Sequence, residues 1–359
     1  MPDHLAEVER FTGKRAGSTA PKREVREMRQ TRRGTLGVLS AALLAASALA
    51  STPASAQQVL RVATLQGEGQ PSYEGVKKLA ELVNERSNGE LQVEVFGDGQ
   101  LGTEQESVEG VQFGTIDMFM GSTGSVGRFL PKLEAFAHPY VWRDLDHMLG
   151  VVRGEIGDEL TEELVTSTGI RILDMGWLFG RRHLTTRDTE VMTPADMAGL
   201  KIRVQPTEIY LATIEAMGGN PTPMDFKEVY TALQTGVIDG QENPINVIAT
   251  RALYEVQDYL MLTGHITQNQ TVVINDQVLQ SLSPELQEVV LSATRDAGDY
   301  QNGLLEQKEA EQLELIKSNG MQIVEPDVEA FRDATADVHE KFDAAWGAGF
   351  FERIKNAGS

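Results

Sequence analysis

Gly199-Leu-Lys-Ile-Arg-Val204, then Met217-Gly-Gly-Asn-Pro-Thr-Pro-Met224, then Glu228-Val-Tyr-Thr-Ala-Leu-Gln-Thr-Gly-Val-Ile-Asp-Gly-Gln-Glu-Asn-Pro244: these three runs decide the fold. Lys201 to Val204 follows a glycine and is rich in β-branched residues, so it reads as a strand. Asp225 stands three residues before Glu228, ahead of the apolar Val229, Ala232 and Leu233, the pattern of a capped helix start. Gly236 falls where that helix stops. Val237-Ile238 then opens a second strand, which ends at Gln241-Glu242-Asn243. Arg203 thus lies near the end of one strand and Asn243 just past the end of another. Open α/β sheets hold ligands in the crevice outside their strand ends. A guanidinium presents a rigid fork of donors that fits a carboxylate. A side-chain amide can complete the same anion or bind a hydroxyl.

On these residues the chain resembles the substrate-binding proteins of TRAP (tripartite ATP-independent periplasmic) transporters. The likeness extends over the mature chain and is densest from 199 to 246. It implies a two-lobed α/β periplasmic binding protein fold, with a ligand cleft between the lobes and a long spine helix. It implies that the arginine at 203 pairs with a ligand carboxylate and that Asn243 supports it. The partners it implies are a small organic anion and the membrane subunits of a TRAP transporter.

The chain has 359 residues, no Cys and a formal charge of -21. Residues 34–50 are an apolar run rich in Ala and Leu, preceded by Arg29, Arg32 and Arg33 and followed by Ala54-Ser55-Ala56, a small-residue cleavage site. This is the layout of an exported protein's signal, too short for a bilayer span. Thr31-Arg32-Arg33-Gly34-Thr35-Leu36 is similar to a twin-arginine signal, with Thr35 where an aromatic residue is commoner, so both the Sec and the twin-arginine routes fit. Residues 1–27 are too long and too mixed in charge for the start of a signal, and Met28 is the expected true start. Removing 1–56 takes away nine bases and five acids and leaves the chain at -25. Such acidity argues against nucleic acid and anionic membrane as partners. Without Cys there is no disulfide staple, but a chain this long can bury a core without one.

Leu60 to Leu65 reads as the first strand, Tyr73 to Arg86 as an amphipathic helix, and Leu91 to Phe96 as a second strand. Thr103 and Glu106 form a capping box, Gly114 stops that helix, and Ile116 to Met120 is a third strand. Thr103/Glu106 leading to Gln112-Phe113-Gly114-Thr115-Ile116-Asp117 repeats at the spacing of Asp225/Glu228 leading to Gln234-Thr235-Gly236-Val237-Ile238-Asp239. One helix–strand unit is therefore expected once in each of two similar halves, with Gly121-Ser122-Thr123 opposite Gln241-Glu242-Asn243. Residues 144–168 read as one helix and Ile170 to Met175 as a strand. Trp177, Gly180, Arg181, Arg182 and His183 read as a polar–aromatic loop beyond it. By the resemblance this is a crossover, and Arg182, or its neighbour Arg181, is a second ligand-facing arginine. Ser283 to Gly320 is one long helical pattern, which the resemblance identifies as the spine. The expected divisions are 1–56 as leader, 57–179 with about 269–308 as one lobe, and 180–268 with about 309–359 as the other.

Gly97-Asp98-Gly99-Gln100-Leu101-Gly102 matches a dinucleotide fingerprint by spacing. Asp98 and Glu104 would repel a pyrophosphate, and Asp117 falls near the start of its strand, where a ribose-binding acid does not belong. The cofactor reading is rejected. No His spacing suits zinc and no G-x-S-x-G elbow occurs, so neither metal nor catalytic residue is expected. The expected ligand set is Arg203 and Asn243 for the carboxylate, Arg182 for a second oxygen group, Phe226 for the carbon skeleton, and Ser122 with Glu104 for hydroxyls; Trp177 is expected either at the ligand or packed in the core. The expectation is a monomeric periplasmic protein that captures a sugar acid such as a uronate, or a C4-dicarboxylate, without turning it over. Two alternatives stand beside it: an exported sugar-acid lyase or hydrolase using Glu242 as base, and the ligand-binding partner of a sensor.

Overall fold

The structure is a computed structural model that describes residues 57–358. The signal, its cleavage site and the start expected at Met28 lie outside the described residues. In chain order the first half contributes β1 (Gln58–Thr64), α1 (Pro71–Arg86), β2 (Leu91–Phe96), α2 (Glu104–Phe113), β3 (Met118–Ser122) and the short α3 (Thr123–Gly127). Then come α4 (Leu145–Val152), α5 (Glu155–Thr168) and β4 (Ile170–Thr186). The second half supplies β5 (Lys201–Val204), α6 (Glu208–Ala216), β6 (Asn220–Pro223), α7 (Val229–Gln234), β7 (Gly240–Pro244), α8 (Ile245–Thr250) and β8 (Tyr259–Asn275). α9 (Asp276–Gln280), α10 (Pro284–Ser318), β9 (Gln322–Val324) and three short C-terminal helices complete the chain. Among the described residues no helix is long and apolar enough to cross a membrane.

Among the described residues nine strands form one sheet in the order β2-β1-β3-β8-β4-β7-β5-β6, with β9 beside β8. The parallel triplet β2-β1-β3 is answered by the parallel triplet β6-β5-β7. The repeated Asp explains how each triplet is locked. Asp117 Oδ2 accepts from the Arg61 N–H of β1 at 2.8 Å, and Asp239 Oδ2 accepts from the Lys201 N–H of β5 at 2.7 Å. Helix α2 has its expected capping box between Thr103 and Glu106. The counterpart does not form: Asp225 makes no side-chain cap bond, and the chain enters α7 through a 3₁₀ turn over Phe226–Glu228.

Between the triplets run the antiparallel β4 and β8, each of 17 residues. The expected loop from Trp177 to His183 is instead the continuation of β4. Its polar groups find a ladder on both sides, with β8 along its length and with β7 from Arg182 to Thr186. Register shifts at Ile172/Asp174, Asp174/Trp177, Leu178/Gly180 and Arg182/Leu184 let the long strand bend. The expected single helix over 144–168 breaks at Arg153-Gly154. Arg153 there pairs with Asp174 of β4 at 2.8 Å and with Asp299 of α10 at 2.8 Å.

The long helix is present as α10, 35 residues, with Ser283 Oγ accepting from the Leu286 N–H and Pro284 in its first turn. It packs on α1 and β4. Trp177, fully buried in the second core cluster, fits between these helices. A Cβ on Gly75 of α1 would lie 2.8 Å from its ring, and one on Gly298 of α10 would lie 2.7 Å from its Nε1. Those two glycines leave the slot that the indole fills.

Candidate functional site

A small cavity, with about 70 Å³ of room for water centres, lies among β5, β7, β8 and the segments around Gln66, Glu104 and Thr207. Of the residues expected at a site, Arg203, Asn243, Phe226 and Glu104 line it. Arg182, Ser122 and Trp177 are not in the lining. Trp177 is core, for the packing reason just given.

Arg203 is the third residue of β5 and is 2 % exposed. Its Nε and Nη2 both donate to the Met224 carbonyl, at 2.9 and 2.7 Å, which fixes one edge of the guanidinium. The ring of Phe226 lies 5.7 Å from its central carbon. Among the described residues no carboxylate reaches ion-pair distance of it. Burial pushes its pKa down to about 10, the Arg182 charge adds to this, and Glu242, Glu104 and Asp225 oppose it from farther off. Asn243, 3 % exposed, donates to Gln241 Oε1 at 2.5 Å. That bond orients its amide and leaves Oδ1 and one N–H for other partners.

Glu104 approaches because position 121 is glycine: a Cβ there would stand 2.9 Å from its Oε1 and 2.3 Å from Phe119. Oε1 accepts from the Ser122 N–H at 3.1 Å. Burial raises its pKa, while that N–H and the Arg203 charge pull the other way. The Ser122 hydroxyl accepts from the Gly124 N–H at 3.2 Å, capping α3, and Ser122 is absent from the cavity lining. Ser122 therefore reaches the site through its backbone, by holding Glu104.

Arg181 and Arg182 are neighbours on β4 with opposite exposure. Arg181 is exposed, and Arg182 is turned inward with no exposure. Arg182 is already partnered: Nε and Nη2 hold the Glu242 carboxylate, Nη2 also donates to the Glu242 carbonyl at 2.5 Å, and Nη1 donates to Gln268 Oε1. His265 Nε2 lies 3.3 Å from Glu242, and Tyr210 lies under the guanidinium at 5.2 Å. Burial acts against both charges, but each outweighs it for the other: Arg182 is held above its ordinary pKa and Glu242 below. Glu242 offsets part of the Arg182 charge felt by Arg203.

Sequence reasoning missed the glutamines. Gln66, Gln105, Gln205, Gln268 and Gln270 all line the cavity. Gln268 and Gln270 sit two apart on β8, so they face the same way, while Asn269 between them turns back to the Met175 carbonyl. The β-branched run Thr271-Val-Val-Ile274 was the available strand signal. Beside the lining residues Leu65 and Phe226, Arg251 reaches Asp98 at 3.0 Å and the Leu65 carbonyl at 3.0 Å, and Lys227 Nζ reaches the Gly99 carbonyl at 2.8 Å. Arg251 also lies 5.8 Å from the Phe226 ring, so two guanidinium groups approach that ring.

The family model described as bacterial extracellular solute-binding protein, family 7 (DctP) matches residues 62–345. The 2,3-diketo-L-gulonate-binding periplasmic protein YiaO of Escherichia coli (strain K12) is 35% identical over 321 residues, 88% of this chain and 97% of that protein. Two crystal structures of TRAP periplasmic solute binding proteins have nearly the same shape. One, from Polaromonas sp. JS666 bound to D-erythronate, has a TM-score of 0.80 at 31% identity and covers 84% of this chain and 99% of its own. The other, from Citrobacter koseri with bound D-glucuronate, has a TM-score of 0.78 at 31% identity, with the same coverage.

Proposed function

The chain belongs to family 7 of the bacterial extracellular solute-binding proteins, and on that premise we propose that it captures a sugar monoacid and hands it to the membrane subunits of a TRAP transporter. The observation that carries this reading is Arg203: a buried guanidinium lining a cavity, with no carboxylate beside it among the described residues. A buried charge is costly unless paired, and a ligand carboxylate is the missing pair. Asn243 completes the anion's hydrogen bonds, Phe226 packs on the carbon skeleton, and Glu104 accepts from a hydroxyl. Arg182 supports the site from behind, since its charge is spent on Glu242. The halves 57–179 with about 269–308 and 180–268 with about 309–359 close on the ligand as lobes, a population shift toward the state that makes these contacts. The Arg251–Asp98 and Lys227–Gly99 contacts would then be made only in the closed form.

The ligand leaves unchanged. The carboxylate that a lyase would need, Glu242, is held by Arg182 and His265 and is absent from the cavity lining. The protein acts outside the cytoplasm as a monomer. A thermal-shift screen with D-glucuronate, D-erythronate, C4-dicarboxylates, neutral sugars and amines tests the reading. Ligand at about 100 times its dissociation constant adds roughly 2.7 kcal/mol of stability. Sugar acids should raise the melting temperature; a rise with neutral sugars or amines alone would overturn the assignment.

A further inference from the structure

We infer that Gln270, with Gln205, reads hydroxyl groups on the ligand and makes the site selective for a polyhydroxylated acid over an unsubstituted acid or a dicarboxylate. The inference rests on the sugar-acid reading above and assigns the residues that enforce it.

Gln270 is 1 % exposed and lines the cavity, yet among the described residues neither its amide oxygen nor its amide nitrogen has a hydrogen-bond partner. Buried polar side chains are nearly always satisfied, so an amide with both ends unpaired faces a group still to arrive. Gln205 lines the same cavity and its Oε1 is likewise buried and unpaired. Gln268 beside them is fixed the other way round. Its Oε1 accepts from Arg182 Nη1, which turns its amino group, a donor, away from Arg182.

The demand is therefore specific. Two orphaned acceptors, Gln270 Oε1 and Gln205 Oε1, require donors from the ligand. An ionised carboxylate only accepts, whereas a hydroxyl both donates and accepts. The amide nitrogen of Gln270 needs an acceptor as well, so a hydroxyl, or an adjacent pair of them, meets all three needs.

Place in the sheet says which end of the ligand is read. β8 and β5 are separated by β4 and β7. Gln270 lies opposite Ser122 of β3 and Trp177 of β4, whereas Arg203 lies opposite Gln241 of β7, so the two reach the cavity from different parts of the sheet. A carboxylate clamped by Arg203 directs the far end of a short carbon chain toward Gln270.

Isothermal titration with D-erythronate and butyrate, two four-carbon monoacids differing in hydroxyls, tests this, with succinate as the dicarboxylate. Wild type should bind the hydroxylated acid at least about a hundredfold more tightly than butyrate, a factor of about ten for each orphaned acceptor. Gln270→Leu, close in volume, should lose about ten- to a hundredfold for D-erythronate and change butyrate binding less than threefold. Gln205→Leu, on a partly exposed position, should lose about tenfold in the same selective way. Unchanged D-erythronate binding by both variants, or equal losses for both acids, would overturn the inference while leaving the sugar-acid reading intact. Wild type preferring succinate or butyrate to D-erythronate would overturn both.

Discussion

Replacing Arg203 by Met separates what the residue does for folding from what it does for binding. Its pKa falls from the ordinary 12.5 to about 10. At about 1.36 kcal/mol per pKa unit, the folded chain disfavours that charge by about 3 kcal/mol. Against this stand its two bonds to the Met224 carbonyl, contributing roughly 1.5–3 kcal/mol for a charged donor. The two nearly cancel, and Met fills much of the space, so ligand-free Arg203→Met should have the stability of wild type to within about 1 kcal/mol. Binding should suffer heavily. Removing one partner of a buried charged pair costs roughly 2–5 kcal/mol, which is about 30- to 5000-fold in affinity. Arg203→Lys should recover part of that, since an ammonium lacks the parallel fork. Titration calorimetry with the best acid from the screen reads the affinity, and urea unfolding without ligand reads the stability. Affinity within threefold of wild type would refute the clamp. A loss of several kcal/mol in the ligand-free protein would show that the guanidinium holds up the fold.

Other outcomes follow from the same geometry. Glu242→Leu should destabilise by about 3–5 kcal/mol because it strands a buried Arg182 cation, and the double variant Arg182→Met/Glu242→Leu should recover most of it, read by urea midpoint. Gly298→Ala gains about 1 kcal/mol of helix propensity but places a Cβ 2.7 Å from Trp177 Nε1. Overpacking of roughly 1–3 kcal/mol should outweigh that gain and lower the melting temperature. Glu134 is 7 % exposed, and burial, aided by Glu208, raises its pKa from 4.5 to about 7. An acid whose folded pKa is raised holds its proton longer when folded, so its contribution is present below about 4.5 and lost as pH rises through about 7, about 3 kcal/mol in all. Burial lowers the pKa of His138 to about 4 and of His183 to about 3, which acts in the opposite direction. The test is therefore a difference: the melting temperature of Glu134→Gln minus that of wild type should grow between pH 5 and 7, and a flat difference would contradict the assignment.

Much of the fold was legible because its signals are local. The caps at Thr103 and Ser283 and the left-handed stops at Gly114 and Gly169 each follow from a few neighbouring residues. The repeated Asp at 117 and 239 was visible as a spacing, and its bond to the adjacent strand explains the spacing. β8 was missed, and with it the reason that residues 177–183 of β4 can be polar and still lie in a strand: the ladder that satisfies them comes from about ninety residues away. Arg203 and Asn243 were legible as types at strand ends. Arg182 looked equally available, because nothing local reveals that Glu242, 60 residues later, occupies it. The glutamines were silent for a similar reason. A lone Gln is an ordinary surface residue until the topology gathers several around one cavity.

The four register shifts between β4 and β8 have a mechanical consequence. A regular ladder is stiff, since bending it strains every rung, whereas a bulge is a place where curvature can change while the rungs on either side survive. For a molecule that shuts on its ligand as proposed, the joint is then a sheet under flexure, with no loose tether for either half to swing on. Tethered halves must surrender rotational freedom each time they meet, a cost charged against affinity. On that proposal, halves joined through two long strands would have little such freedom to lose, and open and closed would be two curvatures of one spring.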